Sequence, residues 1–318
     1  MRWLAVLGLV LLAGCAPRFG ARGPDAVPPV MAAGELVTRD GARLPLRRWD
    51  AEGAPRAVIV ALHGMSDYSN AFAMPGAYWA KHGITTIAYD QRGFGRNANP
   101  GLWAGADTMR ADLNDAVDAA RAAYPGVPVY ALGESMGGAV VLTALASAHP
   151  PRADGAILVA PAVWSRGDMP LPYRAALFVA AHLMPGMILS NNAGKAIVKI
   201  VPSDNVPMMQ ALGRDPLFQK RTRTDTVYGL VNLMDEARTA PQRLDTAAPQ
   251  TPPILFLHGE KDQVIPPAPT RAVVAELTAR AGSRVDVRRY PNGYHMLLRD
   301  LQAALVDQDV VDWIFRNK

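Results

Sequence analysis

A serine hydroxyl becomes a useful nucleophile only when a base can take its proton, and a carboxylate must hold that base in the right tautomer. Ser135 lies in Val129-Tyr130-Ala131-Leu132-Gly133-Glu134-Ser135-Met136-Gly137-Gly138, which reads as a strand, a sharp turn and a helix start containing G-x-S-x-G. Gly133 and Gly137 let the chain turn tightly and let its neighbours approach. The helix beginning at Met136 brings partial positive charge to where an oxyanion would form. Of the six histidines, His82, His149 and His182 fall in helical or helix-end sequence, and His63 and His258 suit loop-shaping hydrogen bonds. His295, in Tyr290-Pro291-Asn292-Gly293-Tyr294-His295 after the last strand, is the candidate base. Asp262, shortly after the apolar run Ile254-Leu255-Phe256-Leu257, is the candidate acid, with Glu260 a rival by position. The backbone N–H groups of Met136 and of Met65, in Leu62-His63-Gly64-Met65-Ser66-Asp67, are the candidate oxyanion donors. Such chemistry needs neither a metal nor an organic cofactor, and none is expected. Asp90-Gln91-Arg92-Gly93-Phe94-Gly95-Arg96 lacks the Lys-Ser/Thr ending of a phosphate loop.

These residues must be positioned by a frame, and the hydrophobic rhythm supplies one. Buried-strand runs at Ala57 to Leu62, Ile84 to Tyr89, Val127 to Leu132, Ala156 to Ala160, Ile254 to Leu257 and Val285 to Arg289 alternate with helical stretches. The latter include Met109 to Ala123, Met136 to Ala148, Thr270 to Ala281 and Leu301 to Arg316. The pattern predicts an α/β fold with a mostly parallel, doubly wound sheet. Leu36 to Thr38 and Leu44 to Leu46 flank the turn Arg39-Asp40-Gly41-Ala42 and predict an antiparallel hairpin ahead of it. The alternation breaks over 163–251, read as a helical cap inserted between core segments 34–162 and 252–318. Within it Leu171 to Leu189 is strongly apolar, so its face either meets lipid or an acyl chain, or is simply cap core.

The net charge of +5 comes from Lys and Arg spread along 318 residues, without the dense basic blocks of a nucleic-acid binder, and no nucleic-acid partner is expected. At the N-terminus a basic Arg2, an apolar run from Trp3 to Leu12 and then Leu12-Ala13-Gly14-Cys15 resemble a bacterial lipoprotein signal peptide. The run is too short to span a bilayer. The resemblance implies cleavage of residues 1–14, lipidation of Cys15 and a cell-envelope location, with the outer membrane favoured because Ala16 follows the cysteine. A short secretory signal with an incidental cysteine is the alternative. Cys15 is the chain's one cysteine, which excludes an intramolecular disulfide or a cysteine metal cluster. Residues 15–33, rich in Pro, Gly and Ala, read as a flexible, lipid-anchored tether.

With Ser135, Asp262 and His295 in that order, the chain resembles the monoacylglycerol lipase and lysophospholipase branch of the α/β-hydrolases. The likeness is carried by His63-Gly64-Met65, Asp90-Gln91-Arg92-Gly93-Phe94-Gly95, Gly133-Glu134-Ser135-Met136-Gly137-Gly138, His258-Gly259 with Asp262 and Val264, and Gly293 with His295. It is weakest over the insertion, and Asn97 stands where relatives commonly have Ser. The resemblance implies a serine carboxylic-ester hydrolase with a cap, acting on lipidic esters; the signal peptide separately implies membrane contact through Cys15, which the apolar cap joins on the lipid-facing of its two readings. Two alternatives stand beside it: a non-catalytic lipid-binding factor on the same fold, and an acyltransferase or peptidase using the same three side chains.

Overall fold

The computed structural model describes residues 16–190, 200–280 and 282–316; residues 1–15, on which the expected signal peptide and Cys15 fall, lie outside the described residues. Nine strands form one sheet: β1 (Val30–Ala32), β2 (Glu35–Val37), β3 (Arg43–Trp49), β4 (Ala57–Leu62), β5 (Ile84–Tyr89), β6 (Val129–Glu134), β7 (Gly155–Val159), β10 (Ile254–Gly259) and β11 (Val285–Tyr290). Their spatial order is β1-β2-β3-β5-β4-β6-β7-β10-β11. The first three run antiparallel, β3 pairs antiparallel with β5, and from β5 to β11 every pairing is parallel. Chain order reverses around β4, so β6 leaves the sheet at its centre, beside the point where ligands enter open α/β sheets.

The apolar run of β4 is buried along its whole length because helices cover both faces. Successive side chains alternate between two cores, as the two-residue period of a strand requires. Val58, Val60 and Leu62 join a cluster with α2 (Ala106–Ala123) and α3 (Met136–Leu145). Ala57, Ile59 and Ala61 join Phe72, Trp79 and Trp313, carried by α1 (Ala73–Ala80), the turn before it, and α8 (Ala303–Arg316). All ten residues of α3 are buried, since the cap helix α6 (Thr224–Thr239) packs on the side away from the sheet. In α8, burial and the nearby Asp300 push the Asp307 carboxyl up to about 8, while its main-chain oxygen accepts the Trp79 indole N–H at 3.2 Å.

The tether expected over 15–33 is corrected by the structure. Its described part is laid on the domain as a strap: β1 pairs with β2, Gly20 N–H donates to the Trp103 carbonyl at 2.6 Å, and Phe19 bridges to Trp103. Arg22 pairs with Asp112 at 3.1 Å and Asp115 at 3.0 Å, both almost fully buried on α2. Arg92 joins Asp112 to Asp40, and Arg39 reaches Asp115 and Asp118. Proline and glycine erase periodicity without preventing docking when a charged side chain finds a buried counter-ion.

The insertion holds α4 (Leu171–Leu183), α5 (Val206–Arg214), α6 and a two-stranded ribbon of β8 (Ile188–Ser190) with β9 (Arg221–Arg223) that the helical reading missed. The apolar stretch from Leu171 stops being helical at Leu183 because a Met184-Pro185-Gly186 turn follows. Its face is not cap core: Leu171, Tyr173 and Leu183 are 69%, 67% and 62% exposed, and Ala181 is the buried residue of α4. Among the described residues no helix is long and apolar enough to cross a membrane. α7 (Pro267–Thr278) completes the core between β10 and β11.

Candidate active site

Four strand ends meet at the carboxyl edge of the sheet. β4 leads into His63-Gly64-Met65, β6 into Ser135, β10 into Asp262 and β11 into His295. Ser135 adopts φ 54° and ψ −114°, a sparsely populated conformation that costs on the order of 1–3 kcal/mol and persists only when neighbours enforce it. The enforcement is visible. Ser135 N–H donates to Val159 O at 2.9 Å, and its carbonyl accepts from Ala139 and Ala162 at 3.0 and 2.9 Å. A Cβ on Gly133 would fall 2.2 Å from Gly137 O, and one on Gly137 would fall 2.2 Å from Leu62 O. Gly64 packs against the serine itself, its would-be Cβ only 3.2 Å from that of Ser135.

His295 Nε2 lies 2.9 Å from Ser135 Oγ, and Nδ1 lies 2.8 Å from Asp262 Oδ2. An ionised carboxylate only accepts, so Nδ1–H donates to Asp262 and the bare Nε2 accepts the serine O–H. The other carboxylate oxygen, Oδ1, accepts the Val264 and Ile265 N–H groups at 2.7 and 3.0 Å, which fixes the acid. His295 is 5% exposed while Ser135 is partly open, so the serine is the more accessible of the two. Glu260, the positional rival, is exposed and has no such contact with His295. Met136 directly follows Ser135 and Met65 directly follows Gly64, which packs against the serine, and neither N–H donates to another acceptor among the described residues. An arrangement of this kind can deprotonate an alcohol, hold a developing oxyanion and return the proton to a leaving group.

The remaining motif residues brace this geometry. His63 is fully buried, which pulls its imidazole toward the neutral form; Nδ1 lies 2.8 Å from Gly64 O and Nε2 accepts Gln91 N–H at 3.0 Å. That is the loop-shaping role expected of it. Asp90 accepts Ser69 and Arg96 N–H groups, and Asn97 donates to the carbonyls of Asp90, Gln91 and Phe94, so the substituted Asn closes the turn. His258 sits half-buried within β10, near its end. Among the described residues no group of His, Cys, Asp and Glu is arranged to hold a metal ion.

Three charged residues around the site went unread in the sequence. Arg299 is buried and pairs with Asp67 at 2.8 Å and Glu134 at 3.0 Å. The available signal was positional: each of the three lies within four residues of a member of the site. The cap also reaches the site's loops. Tyr68 O–H donates to Asp215 at 2.7 Å, Gln219 N–H to Ser66 O at 2.8 Å, and Met296 N–H to Pro202 O at 2.9 Å.

Comparison with known proteins gives a consistent picture. A family model described as "Serine aminopeptidase, S33" (Hydrolase_4) matches residues 53–302. A monoacylglycerol lipase of Mycolicibacterium smegmatis is 28% identical over 282 residues, covering 86% of this chain and 93% of that protein. The human monoglyceride lipase is 26% identical over 268 residues, 84% of each. Among solved structures, the Paleococcus ferrophilus monoacylglycerol lipase superposes with a TM-score of 0.70 at 20% identity, covering 86% of this chain and 99% of that one. The fold is that of the α/β-hydrolases.

Proposed function

The chain belongs to the Hydrolase_4 family of α/β-hydrolases and is a serine carboxylic-ester hydrolase, and from that premise we propose that it cleaves lipidic esters of the monoacylglycerol or lysophospholipid type with Ser135, His295 and Asp262 as its catalytic triad. The observation that carries this reading is the unbroken relay from Asp262 through His295 to a strained, partly open Ser135. Ser135 Oγ attacks the ester carbonyl carbon while its proton passes to His295 Nε2. The oxyanion is held by the N–H groups of Met65 and Met136, and removing one such donor costs about 3 kcal/mol of transition-state stabilisation. Collapse breaks the bond to the alcohol, which leaves with the proton from His295. Water then repeats the sequence on the acyl-enzyme and frees the acid. The lipidic substrate is supported by the names of the relatives and by the exposed apolar residues of α4, which suit a long acyl chain.

A fluorophosphonate probe should label the protein, and a panel of aryl esters and monoacylglycerols should be turned over. Ser135→Ala should lose both. Activity persisting in that variant would reject the nucleophile, while turnover of aminoacyl amides in preference to every ester would favour a peptidase.

We also propose that Cys15 is the lipid-modified first residue of the mature chain, and that the protein faces the periplasm from the outer membrane. The strap gives this reading a geometry. Arg18 N–H reaches Asp225 Oδ2 at 3.4 Å, and Asp225 N–H donates to Pro185 O, next to the exposed Met184, Met187 and Ile188. Cys15 is three residues from Arg18, roughly 11 Å of chain at most. A lipid at Cys15 would therefore enter the bilayer beside the cap's apolar turn and leave the domain little freedom to stand away. Intact-mass measurement of the membrane fraction tests the anchor, and an unmodified mature chain would end it.

A further inference from the structure

We propose that Arg299 is a positioning residue that clips the oxyanion loop, the nucleophile strand and the histidine loop together, and that the Glu134 carboxylate it holds gives the His295 imidazolium a second negative neighbour after Asp262. The inference rests on the triad reading above. Its basis is one guanidinium with two buried carboxylates, each on a different catalytic segment. Nη1 lies 2.8 Å from Asp67 Oδ2, two residues beyond the candidate oxyanion donor Met65. Nη2 lies 3.0 Å from Glu134 Oε2, on the residue that precedes Ser135. Arg299 itself follows His295 by four positions, and its backbone is fixed by an N–H bond to Met296 O and a bond from Asn205 Nδ2 to its carbonyl, both 2.9 Å. All three side chains are almost fully buried.

Stability alone is a poor reason for this arrangement. Buried ion pairs commonly contribute no more than well-packed apolar side chains of the same size, because desolvation consumes the Coulombic gain. Here one cation meets two anions: the contact with Glu134 Oε2 is a hydrogen bond, the contact with Asp67 Oδ2 is an ion pair without hydrogen-bond geometry, and Glu134 Oε1 and Arg299 Nε have no hydrogen-bond partner among the described residues. What the arrangement does provide is a fixed spacing between three segments that must agree to within a few tenths of an ångström for proton transfer. With all three groups ionised it also leaves one net negative charge, part of it on the residue next to Ser135, whose Oγ lies 2.9 Å from His295 Nε2. Burial raises the Glu134 carboxyl while Arg299 and His295 oppose that rise, so carboxylate and imidazole sense each other. The other groups facing this region are Asp262 from the acid loop, Asp67 and the neutral His63 from the oxyanion loop, and Asp300, which accepts Tyr294 N–H beside His295.

The test uses the full chain and a soluble aryl ester. Glu134→Gln keeps the size of the side chain and an oxygen for Arg299 but removes the charge, so the acidic limb of kcat/KM should move to lower pH by about half a unit to one unit. A purely structural role would leave that limb where it is, and an unmoved limb would overturn the electrostatic half of the proposal. Arg299→Met should lower kcat by roughly 10–100-fold with KM little changed, Arg299→Lys should recover part of the loss, and adding Glu134→Gln to Arg299→Met should recover part by removing an orphaned charge. A folded Arg299→Met enzyme within twofold of the parent kcat would overturn the positioning half. If Arg299→Met does not fold, the Arg299→Lys kcat decides that half by the same twofold threshold. Ser135→Ala separates the two readings: activity surviving there sinks the triad, whereas a dead Ser135→Ala beside unaltered Arg299 and Glu134 variants sinks the clip alone.

Discussion

At the end of β6 the glycines and the Ser135 main chain are held by close backbone neighbours, whereas α4 in the cap meets the rest of the molecule along a narrow line. The helix that follows Ser135 buries all ten of its residues, and methyl groups on Gly133 before the turn and Gly137 after it would strike main-chain carbonyls 2.2 Å away. In α4, thirteen residues long, Ala181 is buried and large apolar side chains point outward. The nucleophile's geometry is thus over-determined by backbone contacts, and the cap surface is held by few. Under the proposed function, chemistry and selectivity would be separable: the elbow would fix what happens to a carbonyl, and the cap would govern what arrives.

The contrast can be broken or sharpened by four experiments. The largest effect is expected for Asp262→Asn, which preserves volume but lets the wrong imidazole tautomer form; kcat should fall about 10³–10⁴-fold while the melting temperature barely moves. A loss below tenfold in steady-state assays would mean that Asp262 does not orient His295. Next comes Gly137→Ala, whose Cβ would collide with Leu62 O, and the expected loss is about 3 kcal/mol or more by denaturant titration. A cost under about 1 kcal/mol would show that β4 and α3 part easily and would dissolve the contrast.

Asp307 offers a subtler probe of the core. Its folded carboxyl, pushed up to about 8 against an ordinary 3.8, holds a proton that the unfolded chain releases near 4. Stability from this group is present below that point, declines as pH rises toward 8 and is gone above it. Asp307→Asn should remove this decline, so melts at pH 5 and pH 8 should differ less in the variant than in the parent. An equal difference in both would place the proton elsewhere. The smallest effect is expected in the cap: Leu171→Ser with Tyr173→Ser should change stability by no more than about 0.5 kcal/mol and leave aryl-ester turnover alone. The same pair should lower turnover of micellar monoacylglycerol several-fold, and an unchanged rate there would remove α4 from substrate delivery.

Much of the core was readable in advance because its signals are local. β4 begins and ends where its apolar run does, since burial on both faces favours an unbroken run, and β5 keeps its expected bounds although Thr85 and Thr86 interrupt its apolar residues. α3 ends at Leu145, three residues before the expected Ala148, because the segment Ser147 to Pro150 leaves the cover of the cap and turns. The relay was inferred from motif order, and the distances among Ser135, His295 and Asp262 suit it, but Glu260 could be set aside only once exposure was known. What stayed hidden depends on charges meeting across long separations. Neither Arg22 with Asp112 nor Arg299 with Glu134 has a periodicity to announce it. The direction of the apolar cap face was equally silent, because periodicity reports that a face exists and says nothing of what covers it.

The strap's ion pairs with α2, from Arg22 to Asp112 and Asp115, join residues 90 and 93 positions apart in the chain. Contacts that close loops of this size carry a high entropic cost early in folding and form efficiently only after the segments between them are ordered. The strap is therefore expected to lock last, as a latch on a completed domain. Arg22→Met should accordingly speed unfolding while leaving the refolding rate nearly unchanged, a split that stopped-flow chevrons would resolve; slowed refolding would place the strap in the folding nucleus instead.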